Sequence, residues 1–208
     1  MIEPSNDGSL YKELERIGYF KYCTEEGKIK LNTINLYESL KNNSIYEYYD
    51  DKSFVSTTKR NYHMDSEYLA DSGGIESFIK NDLKPFYEAS GFTLNIEEHI
   101  IKIDAANLNR FETIVVNDKK YQIFKKENVG SGEGWYIAPI RIAEMINSEL
   151  ERQNFSERFF LIGSGNDLSG TFLTPAQFQF FRKHIEDPYS KPETTKSWQD
   201  IYNVEIKS

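Results

Sequence analysis

The stretch Glu157-Arg158-Phe159-Phe160-Leu161-Ile162-Gly163-Ser164-Gly165-Asn166-Asp167-Leu168-Ser169-Gly170-Thr171-Phe172-Leu173-Thr174-Pro175, continued to His184, reads as strand, loop, strand and helix. Arg158 to Ile162 is short, aromatic and branched, the composition of a buried strand. Gly163 to Gly170 is rich in residues that tolerate positive φ or hydrogen-bond their own backbone, so it is a connection. Thr171-Phe172-Leu173 resumes the extended pattern. Thr174 before Pro175 has the order of an N-cap and a first helical residue, where the missing proline N–H costs nothing.

Working outward, Pro139 is expected to open a helix whose buried stripe is Ile142, Met145, Ile146 and Leu150, with Glu149, Glu151 and Arg152 facing water. Thr113 to Val116 and Tyr121 to Phe124 flank Asn117-Asp118-Lys119-Lys120 as a hairpin. Phe92 to Ile96 and His99 to Ile103 alternate as strands do. Nearer the start, Ser9 to Gly18 is an amphipathic helix with Leu10, Leu14 and Ile17 on one face. A second helix, capped by Asn32 or Thr33, turns Leu36, Tyr37 and Leu40 inward. Ser53 to Thr58 suggests a brief strand, and residues 59–70 have no clear period. A third helix starts near Ile75, carries Phe78, Ile79 and Leu83, and is stopped or kinked by Pro85.

Helices first, then strands, helix, strands and helix is the order of an α+β fold, an antiparallel β-sheet flanked by helices. Residues 92–126 and 157–174 are expected to supply one sheet. The chain reads as one domain over 1–208, with a mainly helical subregion at 1–90, a sheet-containing one at 91–185 and a surface tail at 186–208. Trp198, Ile201 and Val204 are the tail's anchors.

Charged residues at 28% and hydrophobic ones at 38% of 208 residues describe a soluble globular chain. No apolar run reaches the roughly 18 residues a membrane span needs. Met1 to Gly8 lacks the basic and apolar regions of a secretory signal, and the single cysteine, Cys23, fits a reducing compartment. A cytoplasmic location is expected. The net charge of −8 lies mostly in residues 1–104, with 19 acidic against 12 basic side chains; residues 105–208 carry 14 and 13. Phosphate binding needs clustered Lys and Arg, so this balance excludes nucleic acid and favours a basic protein partner.

The chemistry-bearing motifs are incomplete. Gly130-Ser131-Gly132-Glu133-Gly134 lies between a strand and a helix, as phosphate cradles do, but it lacks the Gly-Lys-Ser/Thr ending and carries a repelling Glu133. His63, His99 and His184 show no zinc spacing, and Asp50, Asp51, Asp65 and Asp71 are irregularly spaced for a divalent ion. No Gly-x-Ser-x-Gly elbow occurs, and Cys23 reads as a packed small hydrophobe. No cofactor, metal or catalytic set is therefore assigned.

What remains is Tyr46, Glu47, Tyr48, Tyr49, Asp50 and Asp51, three tyrosines interleaved with three carboxylates. Tyrosine gives rigid contact area at small entropy cost, and carboxylates steer a basic partner. The expected function is a protein-binding module that neutralises or sequesters a basic protein, as toxin-immunity proteins do. The competing expectation is a small hydrolase or metal-dependent enzyme whose histidine and carboxylates meet only in the fold.

Overall fold

The computed structural model describes residues 7–41, 56–71, 73–128 and 132–206. Along the chain, α1 (Asp7–Arg16), α2 (Glu25–Asn32) and α3 (Leu36–Lys41) precede β1 (Asn61–His63), α4 (Ser66–Ala70), α5 (Gly74–Ser77) and α6 (Lys84–Ser90). A π-turn over Phe78–Asp82 joins α5 to α6. Then come β2 (Ile96–Asp104), β3 (Asn109–Val116), β4 (Lys119–Asn128), α7 (Gly134–Arg152), β5 (Arg158–Ile162), β6 (Ser169–Leu173), α8 (Pro175–His184) and α9 (Thr195–Tyr202).

The fold class is α+β, but the strands form two three-stranded antiparallel sheets, β1-β6-β5 and β2-β3-β4, not the single sheet expected. The reason is that the β5–β6 hairpin has no edge left to share. One side of β6 is taken by β1, in register Asn61↔Thr171 to His63↔Ser169. The outer side of β5 is closed by other groups. The Asn147 side chain donates to Phe159 O (2.9 Å) and accepts from Phe159 N (2.6 Å), mimicking a strand's peptide group. Leu161 and Glu193 exchange backbone bonds of 2.9 and 2.8 Å, and Gly163 N donates to Tyr189 O at 3.1 Å.

Both faces of β1-β6-β5 are buried, which explains the unbroken apolar run in β5. Phe159, Leu161 and Phe172 enter a core shared with α7, β3 and β4. Phe160, Ile162 and Leu173 point the other way, into a core shared with α1, α2, α3 and α8. Gly170 is needed where the Phe159 ring crosses β6, since a Cβ there would lie 1.9 Å from that ring. At the start of α8 the capping box is complete, with Thr174 Oγ1 accepting from Gln177 N and Gln177 Oε1 accepting from Thr174 N (3.0 Å).

Several sequence expectations need correction. Residues 59–70 hold β1 and α4, both too short to show a period. Helix α2 is an additional element, and Asn35, rather than Asn32 or Thr33, caps α3 by accepting from Glu38 N (2.9 Å). Phe92 to Asn95 is not a strand; β2 begins at Ile96. Within the expected strand Ser53 to Thr58, residues 53–55 lie outside the described residues, and Ser56 to Thr58 is a bridge and turn. Pro85 sits in the first turn of α6, where it starts a helix instead of stopping one.

Pro139 lies inside α7, five residues beyond its start. The bond it forgoes is the one to the Trp135 carbonyl, in an exposed first turn where water can replace it. Glu149 is fully buried rather than wet. Burial pushes its carboxyl up, but hydrogen bonds from Arg152, Asn117 and Tyr121 hold it below the ordinary value. The turn between β3 and β4 is two residues, Asn117 and Asp118, both at positive φ (48° and 65°) as a tight hairpin requires. Residues 195–202 of the expected tail form α9, whose Trp198 is buried and donates Nε1–H to Gly163 O at 2.8 Å, while Ile201 is exposed.

Candidate functional site

The segment Tyr46 to Asp51, named from sequence as partner-binding, lies outside the described residues. Beyond it, after β1, the chain enters α4, and residues 65–88 carry six acidic and two basic side chains. Glu67, Asp71, Asp82 and Glu88 are exposed, and Tyr68 is 46% exposed among the first of them. A single exposed tyrosine, Tyr68, thus stands among carboxylates on a folded surface.

Helix α4 has five residues, too few to stand alone in water, so its stability comes from its ends. Asp65 caps it, accepting from Glu67 N (2.9 Å) and Tyr68 N (3.1 Å). Ser66 Oγ donates to Gly165 O at 2.9 Å, fastening the helix to the loop between β5 and β6. At the other end Gly74 lies against Tyr68 O so closely that a Cβ would sit 1.9 Å from it. Arg110, reaching across from β3, donates to Ala70 O and Asp71 O (3.3 Å), satisfying carbonyls that a helix C-terminus leaves orphaned.

Arg110 is the end of a buried ionic chain. Its guanidinium is 2.5 Å from Glu112 Oε2 and 4.7 Å from the Phe124 ring centroid. Glu112 Oε1 is 2.6 Å from His99 Nε2, His99 Nδ1 is 3.2 Å from Glu76 Oε2, and Glu76 pairs with Lys80. His99 and Glu112 meet because the β2–β3 register puts Ile101 opposite Glu112 and His99 two residues along on the same face. The hydrogen bond to Glu112 holds the His99 imidazolium above its ordinary pKa despite burial, with Glu76 adding to it.

A histidine between two carboxylates resembles an acid–base device, yet both ring nitrogens are engaged and Glu112 is fully buried. Neither nitrogen is left to exchange a proton with a substrate. The arrangement holds α5, β2, β3 and α4 together.

The other histidines are not brought into such a set. His63 is exposed on β1 near Asp82, whose carboxyl pKa is raised by the partial desolvation of a group that is still surface-exposed. His184 ends α8 with its ring 4.4 Å from Phe180, and burial and Lys183 lower its pKa. Burial pushes the Cys23 thiol up to about 11, so it is protonated at neutral pH and a poor nucleophile. Among the described residues no group of His, Cys, Asp and Glu has a metal-holding arrangement, and no helix is long and apolar enough to cross a membrane. The two glycine-bearing loops differ. Gly163 and Gly165 are consumed by contacts to Trp198 and Ser66. Gly134 begins α7, while residues 129–131 lie outside the described residues.

A groove of about 500 Å³ runs beside the start of α7, between Lys125 and Lys126 on one wall and Glu205 on the other, with Tyr136 and Tyr202 lining it. Its charges are mixed, with Glu127, Glu133 and Glu205 against Lys125 and Lys126. No signal in the sequence joins β4 to the end of α9. Nor does sequence spacing pair His99 with Glu76, though the two acidic–tyrosine stretches flanking β1 are legible once β1 is known. No family model matches the chain, and no curated protein or solved structure matches it either.

Proposed function

We propose that this protein is a binding module for a basic protein, which it neutralises or sequesters as toxin-immunity proteins do, in the cytoplasm. The observation that carries the reading is Tyr68, exposed among Asp65, Glu67 and Asp71 on a five-residue helix pinned at both ends. A fixed aromatic with surrounding carboxylates is what a basic partner needs: the charges raise the association rate, and the ring slows dissociation. Rigidity matters because ordering a loose segment on binding subtracts from affinity. The segment Tyr46 to Asp51 contributes to partner binding in this reading.

The test begins with affinity capture on the immobilised protein from its source cell, followed by kinetics with the captured partner. Glu67→Lys with Asp71→Lys slows association, and added salt shrinks the difference. Tyr68→Ala mainly speeds dissociation, costing about 2 kcal/mol or more. Asp50→Asn with Asp51→Asn reports on the second stretch. A partner that binds the Glu67, Tyr68 and Asp71 variant as tightly as wild type at low salt rules this surface out.

A further inference from the structure

Strand β2 runs for nine residues at the edge of its sheet, paired with β3 on one side only. Among the described residues no backbone hydrogen bond reaches its other side. An unpaired edge of this length is a template for another strand, and proteins normally cover it or load it with charges that oppose pairing. Of the terminal strands, β5 in the other sheet is closed in this way; β2 is not.

The charges on β2 are placed for one particular pairing. Opposite Val115, Thr113 and Phe111 of β3 stand Glu98, Ile100 and Lys102, which therefore share the sheet's outer face. If β2 pairs antiparallel with an identical strand about Ile100, Ile100 meets its own copy at the twofold axis. Glu98 then falls opposite Lys102 of the second copy, and Lys102 opposite its Glu98. On the inner face His99 falls opposite Ile101. No like charges face each other between 98 and 102, and the register shift beside Glu97 ends the match on one side. The partly exposed Ile100 at the axis has Phe111 and Val115 of β3 as its diagonal apolar neighbours.

We propose that β2 pairs with the β2 of a second copy, antiparallel about Ile100, making a continuous six-stranded sheet in a twofold dimer. Such an interface is isologous: each contact occurs twice, so each charge reversal acts twice. Opposite charges facing across strands stabilise and like charges destabilise. This dimer does not depend on the α4 surface, which is a separate face with a different ligand.

The test is sedimentation equilibrium on the full chain near physiological salt, where the mutual repulsion of two acidic copies is screened. Wild type, Glu98→Lys, Lys102→Glu and the double reversal are compared, with unfolding curves confirming that each is folded. Wild type is expected to dimerise, and each single reversal, which makes two like-charge pairs, to weaken dimerisation at least about tenfold. The double reversal restores the pairing in mirrored form and is expected within about threefold of wild type. Wild type that stays monomeric up to about 1 mM, the weak limit of specific association, overturns the proposal. So do single reversals that leave the constant unchanged, or a double reversal no better than either single one.

Discussion

In β5 the outward groups of Phe159, Leu161 and Gly163 are taken by Asn147, Glu193 and Tyr189. In β2 no described group takes the corresponding positions. The difference extends inward. The β1-β6-β5 sheet is packed on both faces largely by apolar side chains, with Phe172 stacked on Phe86 at 3.7 Å and the buried Asn61 and Thr171 hydrogen-bonded to each other. Under the β2-β3-β4 sheet the inner part of an ionic chain, His99, Glu112 and Arg110, shares the interior with Ile114, Val116 and Phe124, while its Lys80–Glu76 end reaches the surface. One sheet is a closed centre that fixes the fold. The other is a platform that holds a helix by charge and leaves an edge available. Stability is therefore expected to be concentrated in the first sheet and adaptability in the second.

The largest effect expected from this contrast is in the closed sheet. Phe172→Ala removes a ring packed against Phe86 and Phe159 and is expected to cost about 3–5 kcal/mol by chemical denaturation. A loss of about 1 kcal/mol would mean the centre is not where the stability lies. In the open sheet, Glu112→Ala strands Arg110 in the interior and is expected to cost about 3 kcal/mol. Replacing both with apolar residues of similar size, Arg110→Met with Glu112→Leu, should recover most of that loss. The double variant nevertheless loses the donors to Ala70 and Asp71, so amide exchange in α4 should stay faster than in wild type. Recovery of α4 protection along with stability would show that the ionic chain does not hold the helix.

The contrast also governs how much of the molecule is legible in the sequence. Phe159 to Ile162 is buried on both faces, so composition alone marks it as a strand, and Thr174-Pro175 announces α8 through local capping chemistry. The residues of β2 face solvent on one side and charge on the other, so their alternation does not say what they pack against. Glu149 reads as wet because helical spacing places it beside Glu151 and Arg152. Its burial depends on Asn117 and Tyr121, 32 and 28 residues away. The α4 surface is hidden from the sequence for a related reason: five residues carry no period, and their anchors are Arg110 and Gly165, distant along the chain.

Smaller effects sharpen the comparison at its local ends. Thr174→Ala is expected to cost about 1 kcal/mol and Thr174→Gly only a few tenths, since glycine is a passable cap. Equal losses would place the origin of α8's stability in packing alone. His99 provides a pH signature confined to the open sheet. Its folded pKa lies above the unfolded value, so its contribution is complete below about pH 6.5. That contribution is lost as pH rises through the folded pKa. Stability should therefore decline as pH rises above about 6.5, the unfolded value, and His99→Gln should abolish that decline. A decline of the same size in the variant would assign it to other groups.

Hydrogen exchange resolved to single amides tests the contrast between the two sheets most directly. Phe159, Leu161 and Gly163, on the outer side of β5, are expected to exchange only on global unfolding. The β2 amides facing away from β3 should exchange orders of magnitude faster in dilute protein, and more slowly as concentration rises. Outward amides of β5 and β2 that exchange alike at every concentration would contradict it.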